Sequence, residues 1–197
     1  MNIKIIFAIL SLIIGLIGFF PYLRSVFKKE SQPHTFTWLI WTITQGTATA
    51  GMWIGGAGIT GAISLSLGTA CVLTVFLLSL REGDKNITRS DIIVLTIALS
   101  AIGIWWFLKH PLLALIMVTT IDIAAYIPTF RKSYSSPWKE NAFSWTLFAF
   151  ANIFSIFAIE HYNTLTLFYI SAVSISDTLF IIFLLIRRKQ ISKKQTR

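Results

Sequence analysis

The chain has 197 residues, 55% of them hydrophobic and 13% charged, with a mean hydropathy of +0.72 and a formal net charge of +9. That balance excludes an ordinary soluble domain. The cations sit in short clusters between long apolar runs, which argues against nucleic-acid binding and for orientation in a membrane.

Seven apolar stretches, each about 20 residues long, are predicted to be helices able to cross a hydrocarbon core of roughly 30 Å. The first, 3–20, is closed by Pro21. It superficially resembles a signal peptide, but it lacks a small-residue cleavage site and is followed by a basic loop, so it is read as a retained helix. The second and third cover 36–54 and 59–80, with Gly51 and Gly55 spaced for close packing between them. A charged loop, REGDKNITRSD, leads to the fourth, 92–108. Lys109, His110 and Pro111 break the chain before the fifth, 112–130, which contains Pro128 near its end. The sixth and seventh are 142–159 and 164–186, and the tail RRKQISKKQTR is read as polar and either frayed or lipid-facing. The single Cys71 lies inside an apolar run and offers neither a disulfide nor a metal site. Trp53, Trp105 and Trp106 read as interfacial aromatics, and His110 and His161 lack further ligands at metal spacing.

Of the 17 Lys and Arg, all but Lys4 and Lys109 fall after the first, third, fifth and seventh stretches. The positive-inside bias then places the N-terminus outside and the C-terminus in the cytoplasm, in a plasma (inner) membrane.

Sliding the sequence by 107 positions lays PYLRSVFKKESQPHTFTWLIWTITQ over PTFRKSYSSPWKENAFSWTLFAFAN without a gap. Pro21 meets Pro128, Arg24 meets Arg131, Phe36 meets Phe143 and Trp38 meets Trp145, and Gln45 falls on Asn152. The shared order is apolar helix, proline, basic loop, then an aromatic helix with an amide at one offset. Internal repeats of this kind in membrane proteins point to transporters. The expected fold is therefore all-α and integral to the membrane: seven transmembrane helices as two parallel three-helix repeats joined by a linker helix. The first repeat is 1–80, the linker loop and fourth helix are 81–110, the second repeat is 111–186, and 187–197 is a basic cytoplasmic tail.

This 3+1+3 order, with a proline closing the first helix of each triplet before a basic loop, resembles the PQ-loop and SWEET transporter superfamily. The family's Pro-Gln pair reads Pro21-Tyr22 and Pro128-Thr129 here. The resemblance implies alternating access with Pro21 and Pro128 as hinges of an inner gate, and a solute among sugars, amino acids or vitamin precursors. The plain alternative for the two prolines is helix termination.

Asp122 and Asp177 lie near the middle of the fifth and seventh stretches, with no Lys or Arg at matching depth. A carboxylate there costs about 2.5–3.5 kcal/mol to insert, so it faces a watery interior or a partner. Each is a candidate proton-coupling group or counter-ion for a cationic solute, Asp177 first. The structural alternative is an acid bonded to Ser, Thr or Tyr of a neighbouring helix. Trp41 and Gln45 share a helix face, as do Phe148 and Asn152 in the second copy. Amides beside aromatic planes suit a polar or ring-shaped solute, while interhelical hydrogen bonding is the plainer use. Trp38 and Trp145 are expected to be interfacial anchors.

The leading expectation is an alternating-access transporter of a small polar solute, possible proton coupling included, with that solute and the lipid bilayer as partners and no nucleic acid. The alternative is a non-transporting membrane receptor or sorting protein on the same seven-helix scaffold. No nucleophile, His cluster or Schiff-base Lys accompanies the acids, so neither an enzyme nor a cofactor is expected.

Overall fold

The computed structural model of the protein describes residues 3–84, 86–108 and 111–191, with the backbone alone for 94, 98, 101–108, 111, 114 and 165. The side chains of Trp105 and Trp106, His110 and the end of the basic tail lie outside that description. The described residues form α1 (Ile3–Phe27), α2 (Thr35–Ile54), α3 (Gly58–Glu82), α4 (Arg89–Leu108), α5 (Pro111–Ala124), α6 (Tyr126–Ser135), a 3-10 turn (Pro137–Lys139), α7 (Ala142–Ala158) and α8 (Thr164–Gln190). Every predicted stretch is helical, and the fifth is divided between α5 and α6.

Among the described residues three helices, α1, α3 and α8, are long and apolar enough to cross a membrane. Twenty-five helical residues rise about 37 Å, beyond the roughly 30 Å of a hydrocarbon core. Their outward faces carry exposed Ile17, Leu77 and Ile182, while Ser11, Asp122, Ser155 and Asp177 are buried. Apolar residues outside and polar ones inside is the distribution a lipid surround selects.

The predicted stops at the two prolines are wrong. Helix α1 runs through Pro21 to Phe27. A proline forfeits one i→i−4 donor, here the one that would reach the Ile17 carbonyl, and a helix packed among others can absorb that loss; Asn141 Nδ2 ties α1 to the start of α7 at this level by donating to the Pro21 carbonyl at 3.4 Å. In the second copy the irregularity falls at Ala125, three residues before Pro128, and the helix resumes as α6 to Ser135. Pro128 has no N–H for the Ala124 carbonyl, and its ring crowds that turn. Ala125 keeps near-helical dihedrals (φ −66°, ψ −14°), so Asp122 and Tyr126 stay on one face. Residues 187–190 of the basic tail belong to α8 and are not frayed.

Helix α3 packs against α1 and α2, and α8 packs against α5 and α7. These two groups of helices (the triplets) meet mainly where α1 lies along α7, and again where α2 meets α5, while α4 rests on α5. Small residues set the main seam. A Cβ on Gly18 would stand 2.9 Å from the Leu147 Cβ, and one on Gly15 would stand 3.7 Å from the Ala151 Cβ. The packing role expected of Gly51 is absent, since a Cβ there would meet nothing within 4 Å. It is Gly68 that admits α2, with Gln45 Nε2 only 2.8 Å from the position of its missing Cβ.

Two apolar clusters fill the bundle, one around Tyr22, Trp38, Trp41, Tyr126, Trp145 and Phe180, the other around Met52, Ala57, Leu65, Ile159 and Tyr169. Polar ties cross each end. At one, Lys4 Nζ donates to the Ile159 and Glu160 carbonyls at 2.6 and 2.7 Å, and Thr60 donates to Glu160 at 2.9 Å. At the other, Arg131 pairs with Asp91 at 3.0 Å, with buried His34 3.7 Å from the same carboxylate, and Lys132 pairs with buried Glu140.

Candidate functional site

Between the two clusters and the two triplets lies a cavity of about 130 Å³. Helices α1, α2, α3, α5, α6, α7 and α8 contribute to its wall. Trp41, Gln45, Asp122, Phe148, Asn152 and Asp177 all line it, whereas Pro21 and Pro128 do not.

Helical spacing brings these groups together. Trp41 and Thr44 share a face of α2, Asp122 and Tyr126 share a face across the α5–α6 break, and Tyr169, Val173 and Asp177 form one stripe on α8. Asp122 is 2% exposed, and its Oδ1 accepts hydrogen bonds from the Thr44 hydroxyl and, at 2.9 Å, from the Tyr169 hydroxyl. The Trp41 indole N–H donates at 3.1 Å to the Asp122 main-chain carbonyl. Asp177 is 3% exposed; its Oδ1 accepts from the Tyr126 hydroxyl at 2.6 Å and its Oδ2 from Asn152 Nδ2 at 2.8 Å.

All these donors are neutral, and among the described residues no Lys, Arg or His lines the cavity. Buried carboxylates normally take a cation or a proton. Other polar groups around the space are uncommitted: Gln45 makes no side-chain hydrogen bond among the described residues, and the buried hydroxyls of Ser64 and Ser155 have no partner. The floor is aromatic. Trp41 meets Tyr126 edge to face at 4.6 Å, Trp38 at 5.3 Å and Trp145 at 5.8 Å, and Trp145 meets Phe180 at 4.7 Å.

Trp38 and Trp145 are therefore not interfacial anchors: they are 4% and 3% exposed and line the cavity. Each lies three residues before a cavity-facing aromatic, Trp41 or Phe148, and so shares its inward face. The Trp145 indole N–H is satisfied by Glu140 Oε2 at 3.0 Å. By contrast Trp53 is 51% exposed and donates to Ser66 Oγ at 3.1 Å.

The structural alternative, acids bonded to Thr or Tyr of neighbouring helices, is what the structure shows, although sequence reasoning did not single out Thr44, Tyr126 and Tyr169. The signal was present in part, since Tyr126 is four residues from Asp122 and Tyr169 eight from Asp177. It also missed the ionic group at the far end. There Asp91 Oδ2 accepts the Thr88 N–H at 2.7 Å and the Arg131 guanidinium at 3.0 Å. Burial alone would raise the Asp91 pKa, but the hydrogen bonds from Arg131 and Thr88 hold it below the usual carboxylate range. Burial holds the His34 imidazole below its ordinary pKa, against the opposing pull of the Asn86 carbonyl and Asp91.

No family model matches the chain, and no curated protein or solved structure matches it either.

Proposed function

We propose that this chain is an alternating-access transporter of a small polar solute, which occupies the cavity between the two triplets. The observation that carries the reading is an interior space at the seam of two helix groups, holding two buried carboxyls with no cationic side chain beside them among the described residues. An apolar cluster and a layer of crossing polar ties lie towards each end of the bundle, as a site with two gates requires.

The seven helical stretches are read as seven spans in a 3+1+3 order, with α4 as the linker. The matching contacts of α3 with α1 and α2, and of α8 with α5 and α7, support a duplicated unit. So does the offset: shifting α2 by 107 positions puts its first residue, Thr35, on Ala142, the first of α7. The likeness to the PQ-loop and SWEET superfamily belongs to this reading. The cations gathered at the His34 end support reading that end as cytoplasmic and the Lys4 end as outside, in a plasma membrane. In this scheme Trp41, Gln45, Phe148 and Asn152 hold the solute, and Asp177, with Asp122, balances its charge or carries a coupling proton. Pro21 and Pro128 lie where α1 and α6 approach the cytoplasmic end and serve as hinges.

Solute counterflow into liposomes containing the purified protein tests the reading. A transporter exchanges labelled solute across the membrane, and Gln45→Ala with Asn152→Ala reduces the exchange. A receptor on the same scaffold binds solute and exchanges none.

A further inference from the structure

The charge and size of the cavity narrow its occupant. We infer that the site is built for a small organic ammonium ion, held by Asp122 and Asp177 with its carbon body against the indole and phenyl faces. The inference rests on the transport reading only for the solute's passage, not for its binding.

Three observations carry it. First, among the described residues the wall holds two carboxyls and no basic side chain, so the missing charge is positive. Thr44 and Tyr169 both donate to Asp122 Oδ1, which leaves Oδ2 without a hydrogen bond among the described residues. An ammonium group supplies both the charge and the missing donor, and an amino acid or another carboxylate-bearing solute would find no cation for its own anionic end. Second, Trp38, Trp41, Tyr126, Trp145 and Phe148 contribute aromatic rings to the same wall. Ring faces attract organic cations, and most strongly where water is excluded. Third, the space is small. A cavity of about 150 Å³ admits benzene, and this one, at about 130 Å³, suits a solute of similar or smaller bulk and is too small for a nucleoside. The buried Ser155 hydroxyl has no protein partner and borders the space, so a polar group of the occupant can meet it.

The test uses matched pairs that differ in charge alone. Choline is compared with its neutral carbon isostere 3,3-dimethylbutan-1-ol, and ethanolamine with ethylene glycol, by calorimetric titration of the full chain in detergent. At least one ammonium compound is expected to bind, with its neutral twin on the order of tenfold weaker or worse. Asp177→Asn and Asp122→Asn are expected to narrow that gap; because the wild-type pairs decide the matter, a variant that fails to fold removes nothing. Equal binding of the twins, or preferential binding of a neutral polyol or sugar, overturns the inference. Counterflow separates the two readings. Ammonium binding without exchange keeps the inference and refutes transport, exchange of a neutral solute alone does the reverse, and absence of all binding refutes both.

Discussion

Replacing Tyr126 by Phe removes one hydroxyl and keeps the ring that packs against Trp41 at 4.6 Å. The lost interaction is the 2.6 Å hydrogen bond to Asp177 Oδ1. In water-soluble proteins a hydrogen bond to a charged group is worth about 1.5–3 kcal/mol. Within membrane bundles, coupling energies between helices average about 0.6 and reach about 1.7 kcal/mol, because the separated helices find other partners. The second range governs a residue buried between α2, α7 and α8. Asp177 also keeps its bond from Asn152, which limits the damage. At about 2–4 °C per kcal/mol for a chain of this size, Tyr126→Phe should lower Tm by roughly 1–7 °C in detergent. Tryptophan fluorescence follows the unfolding. In an Asp177→Ala background the same substitution should cost nearly nothing, because its partner is already gone. An equal loss in both backgrounds, or no loss in the wild type, would refute the assigned contact.

Gly18→Val places a side chain where even a Cβ would stand 2.9 Å from Leu147; the α1–α7 seam should part at a cost of about 1–3 kcal/mol, read by the same melting assay. Asp91 has a depressed folded pKa, so its stabilisation is present above about pH 3.9, the ordinary Asp value, and is lost as pH falls from there through the folded value. Asp91→Ala should therefore flatten the acid limb of a plot of Tm against pH. His34 is depressed too. Its contribution is intact above about pH 6.5 and falls as the pH drops further, and His34→Gln should remove that component between pH 7.5 and 5.5. Pro21→Ala restores a main-chain donor inside α1. It should raise Tm slightly while slowing solute exchange in liposomes, and unchanged exchange would discard the hinge.

The helices were legible because hydropathy reports them directly, and an amide or acid within an apolar run stands out by its insertion cost. That cost singled out Asp122 and Asp177, while Gln45 and Asn152 stood out by falling on each other at the 107-residue offset beside aromatics, and the structure places all four on one cavity. The indoles were misread for a different reason. Trp38 and Trp145 sit near helix starts, where depth suggests an interface, yet their faces turn inward with Trp41 and Phe148. Depth and face are independent, and only the second was decisive. Proline was over-read as a stop because local propensity ignores tertiary packing: α1 loses one main-chain donor at Pro21 and still runs on to Phe27. The His34–Asp91–Arg131 group joins residues far apart in the chain, and no spacing rule would have gathered them.

Cys71 is the single cysteine of the chain, is free, and lines the cavity. It therefore reports on access to the site without any added mutation. Membrane vesicles of defined orientation, right-side-out and inverted, would be treated with a small membrane-impermeant methanethiosulfonate and the modified fraction measured by mass spectrometry. Alternating access predicts that Cys71 is modified from both sides and that a bound solute slows modification from each. Modification from one side only, at any solute concentration, would contradict it and leave a binding pocket without a passage.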